Sequence, residues 1–136
     1  MEKTMINQEK IIKAVKNIPG IAEKASWVFT LDREEGTLFY SPKVIPSNTN
    51  LHQVTNEYAL YIDKNYEPKG VMVECYNGNF TKHHKTFEKI SSNVFSGKEK
   101  VKVIDPNTNK KDDVTSLRAL FEDTLIREID TNLLPA

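Results

Sequence analysis

Two of the chain's three histidines, His83 and His84, stand side by side within the basic run KHHK of residues 82–85. Histidine is the side chain whose ordinary pKa best suits proton transfer near neutral pH. One of the pair could therefore carry a proton in a reaction. The groups close enough in sequence to orient a substrate are Glu74, Tyr76 and Lys82. This pattern supports one functional hypothesis: an enzyme that acts on a phosphate ester or nucleic acid through the His83 and His84 region.

The sequence gives this catalytic hypothesis little further support. It contains no GxSxG, P-loop, GxGxxG or kinase motif, and no positioned nucleophile accompanies the histidines. A metal site would pair His84 with Glu88 at i, i+4 and recruit His52 or Glu74, since zinc takes three or four such ligands. There is no HExxH motif and no second cysteine to complete such a set. We therefore predict no catalytic residues, no metal site and no cofactor.

The segment around the histidines has the period of a helix. Its apolar positions recur at steps of three and four, which places them on one helical stripe: Phe80, His83, Phe87, Ile90 and Val94. Gly97 would end the helix. On such a helix His84 is rotated by about 100° from His83, so the two rings cannot enter the same cavity. We expect a half-buried His83 beside Phe80 and Phe87, and His84 at the boundary of the stripe.

The lysines around the histidines have two interpretations. Lys82, Lys85 and Lys89 beside the histidines resemble a contact for phosphate or nucleic acid. The same run is typical of a solvated helix face. Nineteen basic and nineteen acidic residues give the chain a formal net charge of zero, so no overall field attracts nucleic acid. A solvated face is therefore preferred, and nucleic acid is not an expected partner.

The preceding chain has the alternation of two β-hairpins. Trp27, Phe29 and Leu31 alternate with smaller or polar residues, and the acidic turn 32–36 leads to a second strand over 38–40. Segments 58–63 and 70–76 alternate in the same way around a turn at 64–69. Proline, serine and asparagine, which interrupt regular secondary structure, are frequent in residues 41–55. This predicts a loop with at most a short strand over 43–45. Residues 98–105 predict an edge strand with its lysines outward and its valines inward: Lys100, Lys102, Val101 and Val103.

Helices are predicted at both ends of the chain. Residues 7–18 form an amphipathic pattern that Asn7 can cap and that Pro19 and Gly20 should end. A longer stripe, with Asp112 or Asp113 as its cap and residues 130–132 as its end, contains Val114, Leu117, Leu120, Phe121, Leu125 and Ile129. The whole predicts one α+β domain over residues 1–136, with a mostly antiparallel sheet of four or five strands packed against the N- and C-terminal helices. The predicted core residues are Trp27, Phe29, Val71, Val73, Leu120 and Phe121.

Two of these β segments resemble a known family. LDREEGTLFYS at 31–41, followed by EYALYIDKNYEPKGVMVE at 57–74, resembles the small bacterial family called domain of unknown function 2283. The shared pattern is an acidic turn into a Leu-Tyr strand, an Asp-Lys turn, and a strand of the form Gly-[VI]-x-[VI]-Glu. The resemblance covers about residues 28–80, implies a β-meander and implies no particular chemistry.

Composition limits the compartment and the class of partner. With 38% hydrophobic and 28% charged residues, the chain can build a core. The sequence has no apolar run long enough to cross a membrane and no secretory signal at its N-terminus. Its single cysteine, Cys75, is expected to be a buried, inert thiol, and one cysteine cannot form an internal disulfide. We expect a cytoplasmic protein that does not bind membranes.

The preferred function is a small non-catalytic protein-interaction domain of the inhibitor, immunity or regulatory-subunit type. An exposed sheet face or terminal helix would dock a protein partner, because tyrosines offer large contact area at low entropy cost. The tyrosines expected to be exposed are Tyr58, Tyr61, Tyr66 and Tyr76. The predicted binding residues are Tyr61, Tyr76, Lys82, His83, His84 and Lys85. The sequence leaves the oligomeric state open.

Overall fold

The computed structural model describes residues 8–74, 76, 80–105 and 111–134, and of residues 90–93 and 111 the backbone alone. The helices are α1 (Gln8–Lys24), α2 (Thr81–His83), α3 (Lys85–Val94) and α4 (Lys111–Asn132). The strands are β1 (Val28–Asp32), β2 (Thr37–Ser41), β3 (Asn50–Gln53), β4 (Tyr58–Ile62), β5 (Pro68–Val73) and β6 (Val101–Ile104). Asn7, the predicted cap of the first helix, and Cys75 lie outside the described residues.

The strands form one antiparallel sheet in the order β3-β4-β5-β2-β1-β6. The predicted α+β class and both hairpins are confirmed, as is the position of β6 at an edge. The sheet has six strands where four or five were predicted, because the loop after β2 contains β3. This extra strand lies at 50–53, whereas the predicted short strand at 43–45 is not formed.

Side chains of aspartate shape the turn in each hairpin. Asp32 Oδ1 accepts a hydrogen bond from the Glu35 amide at 3.1 Å, and Gly36 follows with φ of 70°. Asp63 Oδ1 accepts hydrogen bonds from the amides of Asn65 at 2.8 Å and Glu67 at 3.0 Å. Such local bonds compete with strand pairing and therefore favour a turn at these places.

Helix α1 does not end at Pro19 as predicted but continues to Lys24. A proline inside a helix removes one backbone hydrogen bond. Here the apolar stripe continues past it, since Ile18 and Ala22 are both buried, and this burial opposes the loss. The helix ends where Ser26 takes a left-handed conformation with φ of 54° and the Trp27 amide bonds to the Ala22 carbonyl at 2.9 Å.

One face of the sheet carries the core. Alternate strand positions on that face and the apolar stripes of α1, α3 and α4 belong to a single buried cluster. Phe121 of α4 lies at its centre, where its ring meets those of Phe29, Tyr40, Tyr58 and Phe87 at 5.3–5.9 Å. Five of the six predicted core residues are buried, and Leu120 is partly buried against the cluster.

No helix in the described part of the chain is both long enough and apolar enough to cross a membrane.

Candidate functional site

The predicted binding residues separate into two regions of the molecule. His83, His84 and Lys85 line a groove of about 670 Å³ between the start of α3 and the last turns of α4. We call this the histidine groove. Its other charged lining residues are Arg127, Glu128 and Asp130. Lys82 is exposed on α2 and is not among the lining residues.

The helix predicted across residues 80–94 is interrupted at His84, whose φ of −128° and ψ of 80° are not helical. The His84 amide still donates to the Phe80 carbonyl at 3.0 Å, and the His84 carbonyl accepts from the Phe87 amide at 2.9 Å. His84 thus closes α2 and opens α3. The break turns its ring onto that of Phe80, with ring centres 4.3 Å apart.

This break reverses the predicted roles of the two histidines. The side chain of His83 is 62% exposed, whereas that of His84 is 20% exposed. The prediction that His83 lies at the centre of the apolar stripe is therefore wrong, because it assumed one continuous helix. His84 takes the inward position beside Phe80, and Phe80 and Phe87 are buried as expected.

Glu57, which the sequence did not single out, joins both histidines. Its Oε1 lies 2.8 Å from His84 Nε2, and its Oε2 lies 3.3 Å from His83 Nδ1. The Glu57 side chain is only 10% exposed. The turn before β4 fixes its backbone, since the buried Thr55 hydroxyl accepts hydrogen bonds from the amides of Glu57 at 3.2 Å and Tyr58 at 3.0 Å. No local pattern marks Glu57, because its partners lie 26 and 27 residues away.

Glu128 of α4 completes a cluster with Glu57 and His84. One ligand atom from each of these half-buried side chains lies within 4.8 Å of the others. Among the described residues the cluster does not include Glu88, His52 or Glu74, so the ligand combination considered from the sequence is not assembled.

The hydroxyl of Tyr58 lies beside this cluster. Tyr58 is fully buried, and its hydroxyl has no hydrogen-bond partner among the described residues. Burial raises the pKa of Tyr58 well above its ordinary value, and the nearby charges of Glu128 and Glu57 raise that pKa further. The Tyr58 ring meets Phe80 edge to face at 5.5 Å. The site therefore has a buried hydroxyl group within electrostatic range of two carboxylates.

Tyr76 is not available as a binding residue. It is fully buried, with its ring stacked on Phe80 at 5.5 Å and against Phe95 at 6.1 Å. The expectation of an exposed Tyr76 extended the alternation of β5 past its end at Val73. The chain instead turns inward, and the Tyr76 amide donates to the Gly36 carbonyl at 2.8 Å. Tyr58 is likewise buried rather than exposed, because it points from β4 into the core.

The second region is the sheet face opposite the core. We call it the outer face and define it by Phe39, Leu51, Tyr61, Val101 and Val103. Strand register places these residues on one face, which extends from edge strand β3 to edge strand β6. Leu51 pairs with Tyr61, and Phe39 and Val103 both pair with Thr30. None of them belongs to the core cluster or packs against it.

The outer face leaves much apolar surface accessible. Leu51, Val101 and Val103 are 45%, 51% and 43% exposed, and Phe39 and Tyr61 are half-buried. The prediction that Val101 and Val103 point inward is wrong: β6 pairs with β1 so that Ile104 enters the core and both valines face out. Burial raises the pKa of Tyr61, whose hydroxyl lies 3.9 Å from Met72 Sδ.

No protein-family model matches the chain, and neither does any of the curated proteins or solved structures compared with it. The resemblance to domain of unknown function 2283 therefore stays a prediction.

Proposed function

We propose that the chain is a non-catalytic protein-interaction domain, of the inhibitor, immunity or regulatory-subunit type, that docks another protein on its outer face. The observation that carries this proposal is the set of accessible apolar side chains on a sheet face outside the core: Leu51 at one edge, and Val101 and Val103 at the other. Exposed apolar surface patches are typical of binding sites. The single cysteine supports a cytoplasmic setting for this interaction.

Tyr61 and Phe39 are the proposed anchors of the interface. Interfaces derive most of their binding energy from a few aromatic residues surrounded by weaker contacts. Tyr61 has Leu51 directly opposite it on β3, while Phe39 lies in the same cross-strand row as Val103. A partner with an apolar surface would bury both aromatic rings. Tyr76 has no part in this proposal, because it is buried.

The test compares three forms of the protein as bait in a native cell extract: the wild type, the variant Phe39→Ser/Tyr61→Ala/Val103→Thr, and a control with His83→Ala in the groove. We expect a partner that binds the wild type and the control but not the triple variant. For the purified partner, Tyr61→Ala alone should weaken binding about 30-fold, or about 2 kcal/mol, in calorimetry. Equal capture by all three baits would contradict the proposal.

Light scattering of the same variants separates a different partner from self-association. If the wild type forms dimers that the triple variant does not form, the occupant of the outer face is a second copy. That result would replace the proposed partner.

The hydrogen bond between Glu57 and His84 favours a second candidate function: hydrolysis of a phosphate ester in the histidine groove. His84 would take a proton from the attacking water and return it to the leaving oxygen as the P–O bond breaks. Glu57 would stabilise the imidazolium, and Lys85 and Arg127 line the groove as suits an anionic substrate. Turnover of p-nitrophenyl phosphate or its diester should then disappear in Glu57→Gln and His84→Ala. Absent turnover in the wild type, or turnover that survives both substitutions, would exclude this candidate.

A further inference from the structure

A ligand set that sequence spacing does not reveal lies at the histidine groove, whose lining includes two of its members, His84 and Glu128. Glu57 precedes β4, His84 lies between α2 and α3, and Glu128 is on α4, yet their ligand atoms approach within 4.8 Å of one another. We propose that Glu57, His84 and Glu128 bind one divalent transition-metal ion. This site goes beyond the interaction function proposed above and does not require the outer face.

The donor types select the class of metal. An imidazole nitrogen with two carboxylates suits zinc, manganese, iron or cobalt in the divalent state. Calcium and magnesium prefer oxygen ligands throughout, and calcium takes six to eight of them. Three protein ligands also leave coordination positions open, and the histidine groove provides space for water or a small ligand at those positions.

The observed distances require only small side-chain movements. With metal–ligand bonds of about 2.0–2.2 Å, ligand atoms around a tetrahedral zinc lie roughly 3.4 Å apart. Glu57 Oε1 and His84 Nε2, now 2.8 Å apart, would separate slightly, while Glu128 would approach. Glu57 Oε1 and His84 Nε2 thus flank the position of the ion, to which Nε2 would present its lone pair.

Two of the ligands are held in place before any ion binds. The backbone break fixes His84, and its ring rests on the buried Phe80 at 4.3 Å. The turn at the buried Thr55 fixes the backbone before β4, so the Glu57 side chain reaches His84 from a defined point. Ligands that are already ordered lose less conformational entropy on binding, which increases affinity.

Charge balance also favours a cation here. Two half-buried carboxylates share one half-buried imidazole, and like charges that approach each other away from water are unfavourable. His83 can offset part of this charge, but its side chain is largely exposed and its ion pair is with Glu57 alone among the described residues. A divalent ion would neutralise both carboxylates at once.

The hydroxyl of Tyr58 provides a second and independent observation. Fully buried hydroxyls normally have a hydrogen-bond partner, and this one has none among the described residues. Carboxylates that bind a metal are commonly held by a second shell of donors. The charges of Glu128 and Glu57 both act on this hydroxyl, which would donate to a carboxylate oxygen that does not bind the ion once the side chains adjust around it.

The test is a titration of the full chain, after treatment with a chelator, with zinc chloride and cobalt chloride in calorimetry. We expect one ion per chain and a rise in melting temperature with bound metal. His84→Ala and Glu128→Gln should each weaken binding at least about tenfold, and each should keep the wild-type circular dichroism. Cobalt should give visible absorption bands that both substitutions remove.

Matched controls separate a built site from accidental binding to surface histidines. His52→Ala removes the histidine on β3, which is not a member of the cluster, and should keep the affinity within about twofold. The triple variant of the outer face should also bind the ion, so that failure of the interaction proposal does not affect this test. No binding by the wild type, or equal affinity in the His84, Glu128 and control variants, would overturn the proposed site.

Discussion

The outer face and the histidine groove are built in opposite ways. The outer face consists of strand residues that alternate with core residues, so each of its members is set by local chain geometry. The cluster at the groove draws Glu57, His84 and Glu128 from three separate parts of the chain, and only the packed fold brings them together. The face is apolar and accessible, while the groove is charged and half-buried. An apolar sheet face therefore follows from strand period once the strand register is fixed, whereas a polar site depends on tertiary convergence.

The two regions also differ in their coupling to the core. Residues of the outer face do not pack against the core cluster, so their substitution should affect partner binding more than stability. In the groove, His84 lies on Phe80, and Phe80 meets both Tyr58 and Phe87 in the core. Substitutions in the groove should therefore alter stability more than substitutions on the outer face do.

The largest effect on stability is expected from a substitution that leaves a cavity in the core beneath the groove. Phe121 is fully buried and meets four other aromatic rings. Phe121→Ala should lower the free energy of unfolding by about 3–5 kcal/mol, as is usual for an emptied aromatic site. Urea denaturation measures this. Val103→Thr on the outer face is the control and should cost less than about 1 kcal/mol. A loss below about 1 kcal/mol for Phe121→Ala would show that α4 does not pack as described.

The sequence predicted those parts of the fold that repeat with a local period. The alternation of Phe29 and Leu31 identified the first hairpin, and the stripe containing Leu117 and Phe121 identified α4. Periodicity failed in β6, a short strand in which lysines and valines alternate. The pattern does not say which of the two sets faces the core. The pairing of Ile104 with Phe29 decides this, and it places the valines on the opposite face from the one predicted.

The candidate site was less predictable than the fold. Adjacent histidines were an adequate signal for the groove, and His83, His84 and Lys85 do line it. The break at His84 was not predictable from a stripe that reads as continuous, so the inward histidine was assigned incorrectly. Glu57 could not be found, since nothing near it in sequence distinguishes it from a solvated glutamate in a turn.

A smaller effect on stability is expected from the substitution of Tyr58. Tyr58→Phe removes a buried hydroxyl that has no partner among the described residues, and therefore loses no observed hydrogen bond. In metal-free protein we expect the free energy of unfolding to stay the same or to rise by up to about 1 kcal/mol. Zinc affinity should fall, by about tenfold, if the hydroxyl supports the carboxylates. Thermal unfolding with a chelator and calorimetry with zinc measure the two quantities.

Two results would contradict this account of Tyr58. A loss of more than about 1 kcal/mol in the chelator-treated variant would show that the hydroxyl has a stabilising hydrogen bond. Unchanged zinc affinity would remove the hydroxyl from the metal site while leaving the three proposed ligands to be judged by their own variants.

The smallest effect on stability is expected at Glu122, a carboxylate on α4 outside both regions. Tyr40 donates a hydrogen bond to Glu122 Oε2 at 2.7 Å, and Arg118 Nε donates to the Tyr40 hydroxyl at 3.0 Å. Burial nevertheless raises the pKa of Glu122 above its ordinary 4.5, and the charge of Glu23 adds to this. The folded state thus holds the Glu122 proton more tightly than the unfolded state does. Stability from this group is present at low pH and is lost as pH rises through the raised pKa.

Glu122→Gln removes that titration and keeps the shape of the side chain. The free energy of unfolding of the wild type, minus that of the variant, should decrease as pH rises from about 4 to about 7. Urea denaturation at several pH values measures the difference, which should be small because Glu122 is only half-buried and solvent screens its charge. The same variant should bind zinc as the wild type does, because Glu122 is not a member of the cluster formed by Glu57, His84 and Glu128. A difference that increases with pH would reverse the assigned direction of the pKa, and a loss of zinc affinity would show that a carboxylate outside the histidine groove contributes to the ion.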